Sequence, residues 1–392
     1  MTTIIKNGLV YQNSVRKLLP LDILIKNEKI ALISERGGLD EACGRVIDAT
    51  GFILTAGFID VHTHGIAGAD FLCADDAMLE KMAKAYLSHG VTTVMPTLAS
   101  AELNDIINAA SGINDFARKL LKNSNGSCAT FCGVHLEGRY LNPQRRGAHA
   151  ERLLAPLNAA ELDEFEKAGL ECLHISAAFE LDADRSFLKR AIEMGATASL
   201  GHTNATYEEA LELQALGVTA YTHLFNAMPP LHHRAGGAAA ACLLGDSFGE
   251  IICDGIHVSR EMVALTYRMK RDRLVLISDS MEATDCPDGA YSIAGNPVTV
   301  EGGIARTHDG ALAGSTLTLD CALKNLMQFC GIPLEEAIIN VTEAPAREIG
   351  IFDFCGSIDV GKSADILFIE KNDSNTDFKI KSVMKSGTLV SL

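Results

Sequence analysis

The sequence predicts an α/β protein, a (β/α)₈ TIM-like barrel carrying a small β-sandwich domain built from both chain termini. Three observations predict it. Eight short apolar runs alternate with helical stretches, both chain ends have the texture of short strands, and ionisable residues gather at the C-terminal ends of the runs. Parallel strands buried on both faces read as near-continuous apolar runs, and alternation with helices implies βα crossovers. Eight units over about 220 residues fit a closed barrel. Periodicity alone leaves an open doubly wound sheet as the alternative.

Thr2–Val10, Asp22–Ile25 and Lys29–Ile33 mix β-branched and polar residues, with Asn7-Gly8 and Asn27-Glu28 as turn signals. The texture changes near Phe58. The expected barrel strands are Phe58–His62, Thr92–Thr97, Thr130–His135, Glu171–Ser176, Thr197–Gly201, Thr219–His223, Glu250–Asp254 and Arg273–Ser278. Helical periodicity places helices at Ala74–His89, Glu102–Lys122, Ala159–Ala168, Arg185–Met194, Thr206–Leu216 and Arg260–Lys270. A Gly-rich stretch, Asp285–Gly314, carries strand signals at Tyr291–Ile293, Pro297–Val300 and Gly303–Arg306. Helices are expected at Ser315–Cys330 and Pro333–Ile349, and the tail returns to strands at Asp365–Ile369, Phe378–Ser386 and Thr388–Leu392. The expected domains are 1–55 with 351–392, and 56–350.

Composition narrows the partners. Asp and Glu number 50 against 34 Lys and Arg, a formal charge of −16 over 392 residues. That balance argues against duplex nucleic acid and anionic membranes. A small anionic ligand needs a local basic cluster to outweigh the global field. The eleven cysteines are odd in number and form no CxxC pair, which predicts a reducing cytoplasm rather than a disulfide framework. Met1–Lys6 lacks the layout of a signal peptide, and no run of about 18 apolar residues occurs.

The chemistry is expected where the ionisable residues gather. The first run ends in His62 and His64, the third in His135 and Glu137, the fifth in His202 and Asn204, the sixth in His223 and Asn226, and the eighth in Asp279. Residues two apart on a strand face one side, so His62 and His64 can address one point. In a (β/α)₈ barrel all strand C-termini converge on the catalytic face, and imidazoles with carboxylates are usual ligands of Zn²⁺ or Fe²⁺. Singly, each residue has a plainer reading: Glu137 as a helix cap, Asp279 as a solvated loop acid. Together, on five strand ends, they point to a metal centre. His89, His174 and His308 lie off the pattern and are expected to be structural.

These residues also carry a resemblance. Gly57-Phe-Ile-Asp-Val-His-Thr-His64-Gly65 resembles the first-strand signature of the amidohydrolase superfamily. His135-Leu-Glu-Gly138, Gly147-Ala-His149, Gly201-His-Thr-Asn-Ala-Thr206 and Thr222-His-Leu-Phe-Asn-Ala-Met228 resemble its N-acetylglucosamine-6-phosphate deacetylases. So do Asp254-Gly-Ile-His-Val258, Ile277-Ser-Asp-Ser280, Leu312-Ala-Gly-Ser315 and Gly356-Ser-Ile-Asp-Val-Gly-Lys362. The resemblance implies hydrolysis of N-acetylglucosamine 6-phosphate to glucosamine 6-phosphate and acetate, with one or two divalent metals per subunit. Zn²⁺ or Fe²⁺ is implied first, Co²⁺ or Mn²⁺ as alternatives. It implies that Glu137, His202 and His223 hold the principal metal, with His62 and His64 engaged only if a second metal binds. Asp279 would be the general acid/base and His149 would polarise the substrate carbonyl. Asn226, the backbone at Ala227, Arg234 and His257 would bind sugar and phosphate, one phosphate contact crossing the interface of a homodimer. Two departures are visible: Ala56 stands where the family usually has Pro, and Leu231-His-His-Arg234-Ala-Gly-Gly237 replaces the commoner Arg-Glu-Pro-Gly form.

The implied roles suit amide hydrolysis. Three protein ligands leave an open metal position, the mark of a catalytic rather than a structural site. Phosphate affinity against a −16 background needs local positive charge; His232, His233, Arg234 and His257 are the first candidates, Arg145 and Arg146 the weaker ones. Hydrolysis of N-acetylgalactosamine 6-phosphate stays open as an alternative, and two other rivals are disfavoured. A cyclic-amide hydrolase with a bridging carbamylated lysine needs Lys at the fourth strand end, where Leu173-His-Ile-Ser176 has none. A non-catalytic relative should have lost ligands that this chain retains.

Overall fold

Eight parallel strands run in sequence order around the barrel: Phe58–Thr63, Val91–Ala99, Val134–Glu137, Leu173–Ala177, Thr197–Leu200, Val218–Tyr221, Phe248–Ile252 and Leu274–Ile277. The computed structural model describes every residue except Met1, Glu41, Cys43, Ser124, Asn125, Leu170, Glu171 and 372–375. Glu171, the first residue of the expected fourth strand, therefore lies outside the described residues. The third strand is preceded by a short piece, Thr130–Phe131, and both pair with the second strand. The eighth strand returns to the first through Asp279, whose N–H donates to the His62 carbonyl at 2.9 Å. Closure thus joins two expected site residues directly.

A helix follows every strand, and local chemistry starts several of them. The helix Tyr207–Ala215 begins with a capping box: Thr206 Oγ1 accepts from the Glu209 N–H at 3.2 Å, and Glu209 returns the bond to the Thr206 N–H at 2.8 Å. Such a cap contributes about 1 kcal/mol. The helix Gly237–Leu244 was not legible from periodicity. It is apolar nearly all round and buried on most sides, so it has no amphipathic stripe to detect. The expected single helix Pro333–Ile349 is broken into Leu334–Ala337, a 3₁₀ turn Ile338–Val341, and Glu343–Glu348. Thr342 leaves helical geometry at φ −129°, ψ −79°, and the chain restarts with Pro345 in the first turn, where its missing N–H costs nothing.

Two further sheets come from the chain ends. One has the order Lys29–Glu35, Leu21–Lys26, Thr2–Lys6, Arg45–Asp48; the other runs Thr388–Ser391, Phe378–Lys385, Ile366–Lys371, Ile53–Ala56, Leu9–Gln12, Lys17–Leu19. Their facing residues, among them Ile5, Ile23, Leu54, Ile366 and Met384, form a separate core. The passage from this sandwich to the barrel is Gly57, where a Cβ would sit 2.1 Å from Thr92 Oγ1. A three-stranded antiparallel sheet, Gly289–Ile293, Asn296–Glu301 and Ile304–Thr307, is inserted after the eighth strand.

The barrel strands are less apolar than their runs suggested. A buried belt of hydrogen bonds crosses five of them, from Thr97 to His135 (3.1 Å), His135 to Ser176 (2.7 Å), Ser176 to Thr222 (2.6 Å) and Thr222 to Ser199 (2.6 Å). Each member is paired, so burial carries little penalty.

His89 acts as a strut outside the barrel, with Nε2 2.8 Å from Asp285 and Nδ1 3.2 Å from Asp320. Burial opposes its charge, but the bonds to the two aspartates outweigh this and push its pKa up to about 9. A cation favoured in the fold stabilises fully below the unfolded pKa of about 6.5, and that stability is lost as pH rises through the folded value. Unfolding free energy is expected to fall by roughly 2 kcal/mol through this group between pH 6 and pH 10, after solvent screening of its exposed edge. His89→Gln should flatten that part of the curve. Denaturant titrations of both proteins across this range check it; parallel curves would remove His89 from the pH response.

Candidate metal and active site

The strand ends meet at the C-terminal mouth of the barrel around Glu137. Its Oε1 lies 3.1 Å from His202 Nε2 and 2.8 Å from His223 Nε2. Its Oε2 lies 3.0 Å from His64 Nε2 and 3.3 Å from His62 Nε2. Asp279 Oδ1 stands on that second side, 3.3 Å from His64 and 3.6 Å from His62. One carboxylate therefore divides four imidazoles into two pairs. All six residues are buried.

This arrangement fits divalent metal. The Nε2 atoms of His202 and His223 approach each other to 3.0 Å. The edge of a tetrahedron with arms of about 2 Å is about 3.3 Å, so the two nitrogens and Oε1 have the spacing of ligands around one ion. His202 donates Nδ1–H to the Arg145 carbonyl at 2.7 Å, leaving the Nε2 lone pair free. Burial, the largest influence, pushes the His202 pKa down to about 4, which favours the neutral, ligating form. The buried His62 Nε2 has no hydrogen-bond partner.

Backbone geometry aims these residues. His202, His223 and Asp279 adopt positive φ of 47°, 30° and 46° just beyond their strands. Non-glycine residues in this region cost about 1–3 kcal/mol each and concentrate at functional sites. At Gly138, directly after Glu137, a Cβ would lie 2.3 Å from the Ser100 backbone nitrogen. That close approach matters because Ser100 orients His149. Ser100 Oγ and N–H lie 2.8 and 3.3 Å from His149 Nδ1, while Oγ accepts the Arg139 N–H. Nδ1 is thereby an acceptor, and Nε2 carries the proton toward the cavity, 3.7 Å from Glu137.

Protonation follows from the neighbours. Asp279 is held below the usual carboxylate range because His62 and His64 outweigh its burial. Burial works against a charge on His64, but bonds to Asp279 and Glu137 push it up to about 9. Asp60, one layer deeper, is pushed up to about 6 by burial.

The cavity above these groups is about 260 Å³, and its lining includes Asn226, Ala227 and His257 beside the metal-centre residues. Ile293, Ala294, Ala311 and Leu312, from the insertion after the eighth strand, form an apolar wall. His257 is oriented by Asp254, which accepts its Nδ1–H at 2.7 Å. Arg234 is not brought here. It lies with His232 and His233 on an exposed loop outside the lining. Arg145 bonds Asn204 and Arg146 bonds the His149 carbonyl. Sequence reasoning missed Ser100 and Glu250. Nothing marks a serine at a strand end, but Glu250 was detectable as an acid inside a run expected to be buried on both faces.

A barrel whose strand ends converge histidines and carboxylates on one cavity defines a class of metal-dependent hydrolase, and the chain belongs to the amidohydrolase family, whose profile matches residues 53–390. Among characterised proteins it is similar to the N-acetylgalactosamine-6-phosphate deacetylase of Escherichia coli O157:H7, with 32% identity covering 86% of this chain and 93% of that one. It is also similar to the N-acetylglucosamine-6-phosphate deacetylase of Bacillus subtilis (strain 168), with 31% identity covering 89% and 88%. The structure superposes on the Pasteurella multocida N-acetylglucosamine-6-phosphate deacetylase with a TM-score of 0.90 at 28% identity, covering 100% of both chains. It matches a mutant of the Mycobacterium smegmatis enzyme, in complex with N-acetyl-D-glucosamine-6-phosphate, with a TM-score of 0.86 at 27% identity, covering 100% and 99%. Among the described residues no helix is long and apolar enough to cross a membrane.

Proposed function

We propose that this protein hydrolyses the N-acetyl group of N-acetylglucosamine 6-phosphate, giving glucosamine 6-phosphate and acetate, in amino-sugar catabolism. The observation that carries this reading is Glu137 between two histidine pairs, with Asp279 and the His149 Nε2–H facing the same cavity. Glu137, His202 and His223 would hold the principal ion, Zn²⁺ or Fe²⁺; His62 and His64 would serve a second only if one binds. A bound divalent ion supplies Lewis acidity, which makes water a competent nucleophile near neutral pH. Asp279, ionised at neutral pH, takes the proton of the attacking water and delivers it to the departing amine nitrogen. His149 donates to the oxygen of the acetyl group as negative charge develops there; such a donor contributes about 3–4 kcal/mol.

Asn226, the Ala227 backbone and His257 hold the sugar and its phosphate. Arg234, on its exposed loop, serves a phosphate through a homodimer interface rather than within its own cavity. Residues 56–350 are read as the catalytic barrel, supported by 1–55 and 351–392. The ten described cysteines are all free, which supports a cytoplasmic setting.

Acetate release from N-acetylglucosamine 6-phosphate, its galactosamine epimer and unphosphorylated N-acetylglucosamine tests the reading. Charge-assisted hydrogen bonds contribute about 1.5–3 kcal/mol each, so removing the phosphate should lower kcat/KM roughly 10²–10⁴-fold. His257→Ala should cost activity on the phosphorylated sugar and almost none on the plain one. Equal turnover with and without phosphate would sink the sugar-phosphate assignment and leave the metal chemistry intact. Preference for the galactosamine epimer would move the assignment to the sister activity.

A further inference from the structure

Glu250 sits in the middle of the seventh barrel strand, fully buried, and has no part in the reaction above. A carboxylate in such a place is costly unless donors or opposite charge surround it. Its surroundings answer this. Oε2 lies 3.0 Å from His62 Nδ1 and accepts the backbone N–H of His223 at 3.2 Å. Oε1 faces His174 Nε2 at 3.4 Å. Two donors, both from candidate metal ligands, thus converge on one carboxylate oxygen, and a third histidine faces the other oxygen without a hydrogen bond.

The two ring nitrogens of His62 have different partners. Nδ1 meets Glu250, while Nε2 makes no hydrogen bond and points between Glu137 and Asp279, 3.3 and 3.6 Å away. An ionised carboxylate only accepts, so Nδ1 carries a proton, and Nε2 is the nitrogen left to give a lone pair to an ion. His174 faces Glu250 through its other ring nitrogen: Nδ1 lies 2.7 Å from Thr197 Oγ1, while Nε2 stands 3.4 Å from Glu250 Oε1 without a hydrogen bond. The nearby Glu348 is pushed well up by burial and by the Glu250 charge.

We propose that Glu250 is a positioning residue of the metal centre. It locks His62 in the tautomer and ring orientation that present Nε2, and it tethers the backbone of His223. The ion on the His62–His64 side then depends on a carboxylate that never touches it. This inference rests on the metal-centre reading. Carboxylates behind ligating histidines typically change metal affinity 10–100-fold when removed, and here one acid serves ligands from two strands.

Metal-free wild type, Glu250→Gln, His62→Asn and the double variant are titrated with Co²⁺, followed by visible absorption and by elemental analysis after gel filtration. Wild type is expected to bind two ions. Glu250→Gln, whose amide oxygen can still accept the His223 N–H, should weaken by about 10–100-fold the ion that His62→Asn removes, and leave the other within about 3-fold. In the His62→Asn background it should add no further loss, because both changes act through one ligand. Unchanged affinities, equal weakening of both ions, or additive loss in the double variant overturns the inference. So does a wild type with one ion indifferent to His62→Asn. A wild type that binds no ion removes the metal-centre reading itself, so the two failures are distinct. Should Glu250→Gln not fold, Glu250→Asp keeps the charge but withdraws it by a methylene. It should lose a smaller factor at the same ion alone, and loss at both ions overturns the proposal.

Discussion

Asp279→Asn is expected to fold, to keep its principal metal and to release acetate about 10²–10⁴-fold more slowly, the range that general acid–base catalysis contributes. The amide matches the carboxylate in size, so the packing at the barrel seam survives. The Asp279 N–H still donates to His62, and the Asp279 carbonyl still accepts the Ser315 N–H at 2.7 Å. Lost are a negative charge facing His62 and His64 and a group able to carry a proton. Because those histidines hold Asp279 below the usual carboxylate range, the wild-type side chain begins the cycle as a base. Single-turnover acetate release with parallel metal analysis measures the effect. Near-wild-type turnover from metal-replete Asp279→Asn protein would take Asp279 out of the mechanism.

His223→Ala is expected to lose the principal ion, with activity falling to that of chelated protein, whereas His62→Ala loses at most a second ion. The asymmetry follows from Glu137. His223 and His202 share Oε1 and lie 3.0 Å apart, while His62 shares Oε2 with His64 and Asp279. Removing His223 deletes one corner of the proposed three-ligand set. Chelation should abolish wild-type activity, and Zn²⁺, Fe²⁺, Co²⁺ or Mn²⁺ should restore it. Metal content per subunit after gel filtration separates the variants. A filled His223→Ala site beside an emptied His62→Ala site would reverse the assignment of the two pairs.

Much of this was legible in the amino-acid order. Apolar runs separated by helical periods set the barrel, because strands covered on both faces read as near-continuous apolar runs. His62 and His64, Glu137, His202, His223 and Asp279 stood out because they interrupt that pattern at one end of each run. The helix Gly237–Leu244 was hidden because burial on most sides erases periodicity. Pro333–Ile349 misled because its composition suits a helix while Thr342 turns the chain.

What the sequence by itself determined, then, is which residue types stand at which strand ends, and hence the class of chemistry. Only the tertiary structure decided their division. Glu137 turns one oxygen to His202 and His223 and the other to His62 and His64, a matter of strand tilt and of positive φ beyond the strand ends. Spacing along the chain carries no information about it. The same holds for Ser100 behind His149 and Glu250 behind His62, residues 49 and 188 positions away from the groups they orient. Barrel closure brings such pairs together, and a contact between distant strands depends on register and curvature, which no local pattern records.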